Sequence, residues 1–114
     1  MKVILALIAI MLSACSTTPP ATESEKNAAL MAYLTCLHNA ARKMDDGRSD
    51  AMSVALAIKP PCAAEFRTSV KVRGRDMNRE AFSMFEDRME PKQLELATTA
   101  VLDERKGQII SGKE

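Results

Sequence analysis

Tryptophan is absent from this 114-residue chain, and the rest of the usual site-forming residues are thin: one Tyr, three Phe, one His and four Gly. A Ser/His/Asp hydrolase would need that one histidine beside a nucleophile on a strand-to-helix elbow, and no Gly-x-Ser-x-Gly exists to make one. No Gly-rich phosphate loop is present either. Charge of one sign is also missing, since 16 Lys and Arg face 15 Asp and Glu for a net charge of +1. That balance gives no field for a nucleic-acid partner. Nothing alternates like a strand, no unit repeats and no heptad is sustained, which leaves globular helix as the remaining grammar. The longest apolar run, Val3 to Leu12, is about half of the ~20 residues that a bilayer span requires. An enzyme, a resident cofactor and a bound metal are therefore not expected.

What is present begins with an address. Met1-Lys2 is a minimal basic start, Val3 to Leu12 an apolar segment, and Ser13-Ala14 the small residues that precede a signal-peptidase cut. Leu12-Ser13-Ala14-Cys15 resembles the lipobox of bacterial lipoprotein precursors at all four positions. The resemblance covers residues 1 to about 16. It implies a signal peptide over 1–14, cleavage before Cys15, and a covalent lipid on Cys15 that tethers the protein to a membrane. Several acyl chains, at ~0.8 kcal/mol per buried CH₂, make such an anchor effectively permanent. Ser16 stands where an Asp would retain these proteins at the inner membrane, so the resemblance implies the outer membrane, facing the periplasm. Residues 15–24 then read as a lipidated start and flexible tether, polar and carrying Pro19-Pro20, with a reach of at most ~30 Å.

From Thr22 the pattern is helical, with a domain expected over 25–107. Thr22-Glu23-Ser24-Glu25 fits a capping box, in which a hydroxyl and a carboxylate satisfy the orphan amides of a helix start. Leu30, Tyr33, Leu34, Leu37, Ala40, Ala41 and Met44 recur at three- and four-residue steps as one stripe. Asp45-Asp46-Gly47-Arg48 ends that helix. Ser49 is the expected cap of a second helix carrying Met52, Ala55, Leu56 and Ile58, stopped by Lys59-Pro60-Pro61. Pro60-Pro61 starts a third, with Cys62, Phe66, Ser69 and Val70 on one side and an end at Arg73-Gly74. Asp76 is the expected cap of a fourth, with Met77, Ala81, Met84, Phe85 and Met89 inward; one kinked helix over the third and fourth fits the pattern as well. Glu90-Pro91 begins a fifth, carrying Leu94, Ala97 and Val101 to about Gly107, and 108–114 form a tail. The fold class is all-α, a small bundle of four to five helices with one disulfide.

That disulfide joins Cys36 to Cys62. In the oxidising compartment that the lipobox implies, two cysteines without a Cys-x-x-Cys motif are most simply a structural pair. The first helix rises ~12 Å from Cys36 to Met44 and an antiparallel second helix descends ~12 Å, which returns Cys62 to the level of Cys36. The loop so closed, about 25 residues, is worth about 3.5 kcal/mol by chain entropy.

The remaining polar features read as structure. Cys36 and His38 point ~200° apart on a helix and do not share an ion. Asp45, Asp46 and Asp50 lack the order of a calcium loop and suit turn and cap chemistry. The six methionines after Cys15 fall mostly at core spacing, as gap-fillers where aromatic residues are scarce. One stretch is a candidate contact surface: Arg67, Lys71, Arg73, Arg75 and Arg79 lie against a single acid, Asp76. Anionic headgroups or peptidoglycan carboxylates suit it, at ~1 kcal/mol per basic residue near a charged surface. A solvated face paired with Glu65, Glu80 and Asp87 is the plainer reading.

Tyr33-Leu34-x-Cys36-Leu37, Asp46-Gly47-x-Ser49-Asp50-Ala51, Val54-Ala55 and Cys62-Ala63-x-Glu65 together resemble small secreted or lipid-anchored helical proteins of Gram-negative bacteria, over about a third of the chain. That resemblance brings no activity with it. The murein-linked major lipoprotein is a poorer match, since heptads are lacking and the chain ends Lys113-Glu114. The expected role is a non-enzymatic interaction or accessory subunit with an envelope protein partner. A conjugation or exclusion lipoprotein of a mobile element, and a carrier of a small ligand or metal, are the alternatives.

Overall fold

A computed structural model describes residues 18–111, with side chains through residue 108. The leader, Cys15 and the start of the tether lie outside the described residues, as do the last three residues of the tail. The capping box forms as the sequence predicts: Thr22 Oγ1 accepts from the Glu25 amide at 3.2 Å, and Glu25 Oε2 accepts from the Thr22 amide at 2.8 Å. Helix α1, Glu23–Met44, follows. Ala21 is buried, so the folded unit begins before the expected tether ends. The helix closes where Asp45 turns extended and Gly47 takes φ +68°, a conformation that glycine adopts without penalty.

Helix α2, Ala51–Ile58, is capped by Asp50 in place of the expected Ser49. Asp50 Oδ1 accepts from the Ser53 amide at 3.0 Å, whereas the Ser49 hydroxyl donates to Asp46 at 2.9 Å. A charged cap at the positive end of the helix prevails over a neutral one. Pro60–Cys62 make one 3-10 turn, and α3, Ala63–Arg73, continues from it. The third and fourth predicted segments are separate, divided at Gly74, but the fourth and fifth are not. They form a single helix, α4, Arg79–Ser111, with Pro91 inside it and no break at Gly107. A proline there loses one backbone bond; Pro91 and Asp87, whose carbonyl it would have used, are both exposed to water. Asn78, not Asp76, caps α4 by accepting from the Ala81 amide at 2.9 Å.

Among the described residues four helices thus make three legs. α3 returns along α1 toward its start, as Cys36–Cys62, Tyr33–Phe66 and Glu25–Arg75 successively show. α2 covers the other half of α1. α4 comes back antiparallel to α2, from Lys59–Glu90 to Asp45–Arg105, and beside α1, where Glu104 meets His38 and Arg42. The core gathers Tyr33, Leu37, Ala40 and Ala41 of α1, Val54, Ala55 and Ile58 of α2, Cys62, and Ala97, Ala100 and Val101 of α4. Among the described residues the methionines are not part of it: Met31, Met44, Met52, Met77 and Met84 are exposed, as is Leu56. Ala40, Ala41, Ala55, Ala97 and Ala100 fill much of the core, and the exposed methionines sit off that stripe.

Candidate functional site

The Cys36 and Cys62 sulfurs stand at bonding distance, 2.05 Å, with Cα atoms 5.8 Å apart. Cys62 is fully buried at the start of α3. The acidic turn is fully engaged. The Asp45 carboxylate, only 3% exposed, accepts from Arg105 Nε and Nη2 at 2.8 Å each, and the same guanidinium reaches the Ser49 carbonyl. Arg105 holds the Asp45 carboxyl below its usual range, and the amides and hydroxyl of residues 48–53 do the same for Asp46 and Asp50. His38 Nδ1 lies 2.9 Å from Glu104 Oε1, whose other oxygen accepts from Arg42 at 2.9 Å. Arg42 first and His38 second lower the Glu104 carboxyl. Among the described residues no three His, Cys, Asp or Glu side chains gather as a metal site would need.

The basic stretch is divided between surfaces. Arg67 and Lys71 are exposed one turn apart on α3, Arg79 is exposed at the start of α4, and Arg73 and Arg75 are half-buried toward α1. Arg75 pairs with Glu25 at 2.9 Å, and Arg73 bears electrostatically on Glu23. No ion pair joins Glu65, Glu80 or Asp87 to any of the five.

Beside Arg73 opens a groove of about 380 Å³ between α1, α3 and the first half of α4. Leu30, Tyr33, Phe66, Phe85, Met89 and Leu96 give it apolar walls, and Ser69, Arg73, Lys92 and Glu95 add polar ones. It exists because α4 packs closely only from Gln93 onward; no residue from Arg75 to Lys92 is buried. Tyr33 is 1% exposed, and its phenolic oxygen has no hydrogen-bond partner of good geometry. Burial pushes that phenol up to about 12, with the buried Gln93 side chain acting in the opposite direction. Sequence reasoning missed this groove and the Asp45–Arg105 pair. A signal for the groove exists in Phe82, Phe85 and Met89, an apolar stripe ahead of Pro91.

No family model, curated protein or solved structure matches this chain. Among the described residues no helix is long and apolar enough to cross a membrane.

Proposed function

We propose that this chain is a lipid-anchored envelope protein of the outer membrane, periplasmic face, acting as a non-enzymatic interaction or accessory subunit. The observation that carries the reading is Leu12-Ser13-Ala14-Cys15 at the end of a short apolar run. The placement of Cys36 against Cys62 supports it, because a pair at bonding distance suits an oxidising compartment. From Cys15 to the Thr22 cap the chain reaches at most ~25 Å, which keeps the bundle close to the bilayer. Arg73 and Arg75 lie at that same end, beside the start of α1. Anionic headgroups are the surface that the exposed Arg67, Lys71 and Arg79 of the same basic stretch would meet.

Replacement of Cys15 by Ser is expected to abolish lipidation and leave an uncleaved or released protein. A Cys15→Ser chain that is still processed and still anchored overturns the reading. Charge reversal at Arg67, Lys71 and Arg79, none of which lines the groove, should lower sedimentation with anionic vesicles at low salt while helical CD is retained. The groove favours a second reading, that of a small-ligand carrier.

A further inference from the structure

The open half of the bundle has both features of an amphiphile site: an apolar trough and, at one rim, donors without acceptors. Phe66, Phe85, Met89 and Leu96 line a channel whose volume, about 380 Å³, lies toward the small end of ligand pockets and suits a single chain. Ser69 and Arg73 are one helical turn apart on α3, so both reach the same point along the trough. Ser69 is 4% exposed, and its hydroxyl makes no hydrogen bond within the described residues. Among the described residues Arg73 has no carboxylate within ion-pair distance, its influence on Glu23 being longer-ranged. Across the trough Lys92 is paired with Glu95 at 2.8 Å, so the basic group of the rim that forms no ion pair among the described residues is Arg73. Tyr33 closes the wall behind them, its buried hydroxyl beside the Gln93 side chain. A hydroxyl and a guanidinium one turn apart on the lining of one trough suit an anionic acceptor, and the walls beside them suit hydrocarbon.

We infer that the groove binds one acyl chain bearing a single anionic head, with the head on Ser69 and Arg73 and the chain between Phe66, Phe85 and Met89. A fatty-acid carboxylate and a lysophospholipid phosphate share that chemistry. The inference rests on the groove alone and is independent of the lipid on Cys15.

The test uses the full chain and three diazirine-bearing amphiphiles: a long-chain fatty acid, its methyl ester, and a lysophosphatidylglycerol carrying the same chain. Photolabelling by at least one of the anionic probes is expected to saturate, to be competed by the unlabelled compound, and to map to peptides of α3 and of α4 before Leu96. Whichever anionic probe saturates at lower concentration identifies the source of the head. Arg73→Glu should cut anionic labelling roughly tenfold, the loss of one charge-assisted contact, and leave ester labelling unchanged. Arg73→Lys should restore most of it. Met89→Gln should reduce all three. Labelling spread over the exposed Met52 and Leu56 face, labelling indifferent to Arg73→Glu, or a groove shielded by a second copy of the chain overturns the proposal.

Discussion

One half of this bundle is built from alanine and the other from rings, and the two halves pack differently as a result. Where α2 and the second half of α4 lie on α1, the contacts are Ala41, Ala55, Ala97 and Ala100 among Leu37, Val54, Ile58 and Val101, all buried. Small side chains let helix axes approach, and little space remains. Where α3 and the first half of α4 lie, the chain has placed all of its aromatic side chains, Tyr33, Phe66, Phe82 and Phe85. Tyr33 and Phe66 pack α3 on α1 with ring centroids 5.4 Å apart, whereas Phe82 and Phe85 of the first half of α4 stay half-buried, and the groove lies between. The closed end and the open end therefore differ in how far α4 is buried, from Gln93 onward in one and at no residue before it in the other.

The Cys36–Cys62 pair sits at the boundary of the two halves, and breaking it should have the largest effect. Replacing both cysteines by serine removes a constraint across 26 residues, worth about 3.5 kcal/mol. Urea unfolding should show the loss in full. Native-state hydrogen exchange should show it in α3 before α2, because α3 contributes only Ser69 and Val70 to the buried set and leans on Cys62 for its position. Equal loosening of α2 and α3 would break the comparison.

The closed end has its own lock in Asp45 and Arg105, which pH reaches. Arg105 lowers the Asp45 carboxyl in the folded chain. A lowered carboxyl contributes stability that is complete above the unfolded value, near 4, and is lost as pH falls through the lower folded value. Thermal midpoints should hold level at neutral pH and fall steadily below about pH 4. Asp45→Asn should be less stable at pH 7 and show a shallower acid limb. Glu104, lowered by Arg42 and His38, leaves part of that limb in place. An acid limb identical in wild type and Asp45→Asn removes the lock.

The elements that local chemistry sets were the legible part of the sequence. The Thr22 box, the Tyr33–Leu37–Ala40–Ala41 stripe, the Gly47 stop and the return of Cys62 to Cys36 all follow from local chemistry and helical rise, and each stands in the structure. The errors have a common cause in rules that are local. Ser49 and Asp76 are good caps one and two positions from better-placed Asp50 and Asn78. Pro91 usually begins a helix, yet the packing of Gln93, Ala97, Ala100 and Val101 carries α4 through it. Exposed methionines and a groove are consequences of which helices fail to meet. Periodicity identifies an apolar face but not whether a partner covers it, and for Phe85 and Met89 none does so fully.

The same substitution made at a glycine in each half gives the smallest and sharpest test. At Gly47, φ is +68° and an added methyl meets nothing within 4 Å, so Gly47→Ala acts through the backbone alone and should cost about 1 kcal/mol in global unfolding. At Gly74, φ is −96°, which alanine adopts easily, but the methyl would fall 2.5 Å from Cδ2 of Phe82. Phe82 is only half-buried and precedes every buried residue of α4, so its ring can move. Gly74→Ala should therefore leave the urea midpoint nearly unchanged while exchange quickens in residues 79–90 and not in 93–104. A large global loss at Gly74 would mean that the open end is as tightly built as the closed one, with Phe82 part of a single core; a local response means that the first half of α4 moves on its own and that the width of the groove is adjustable.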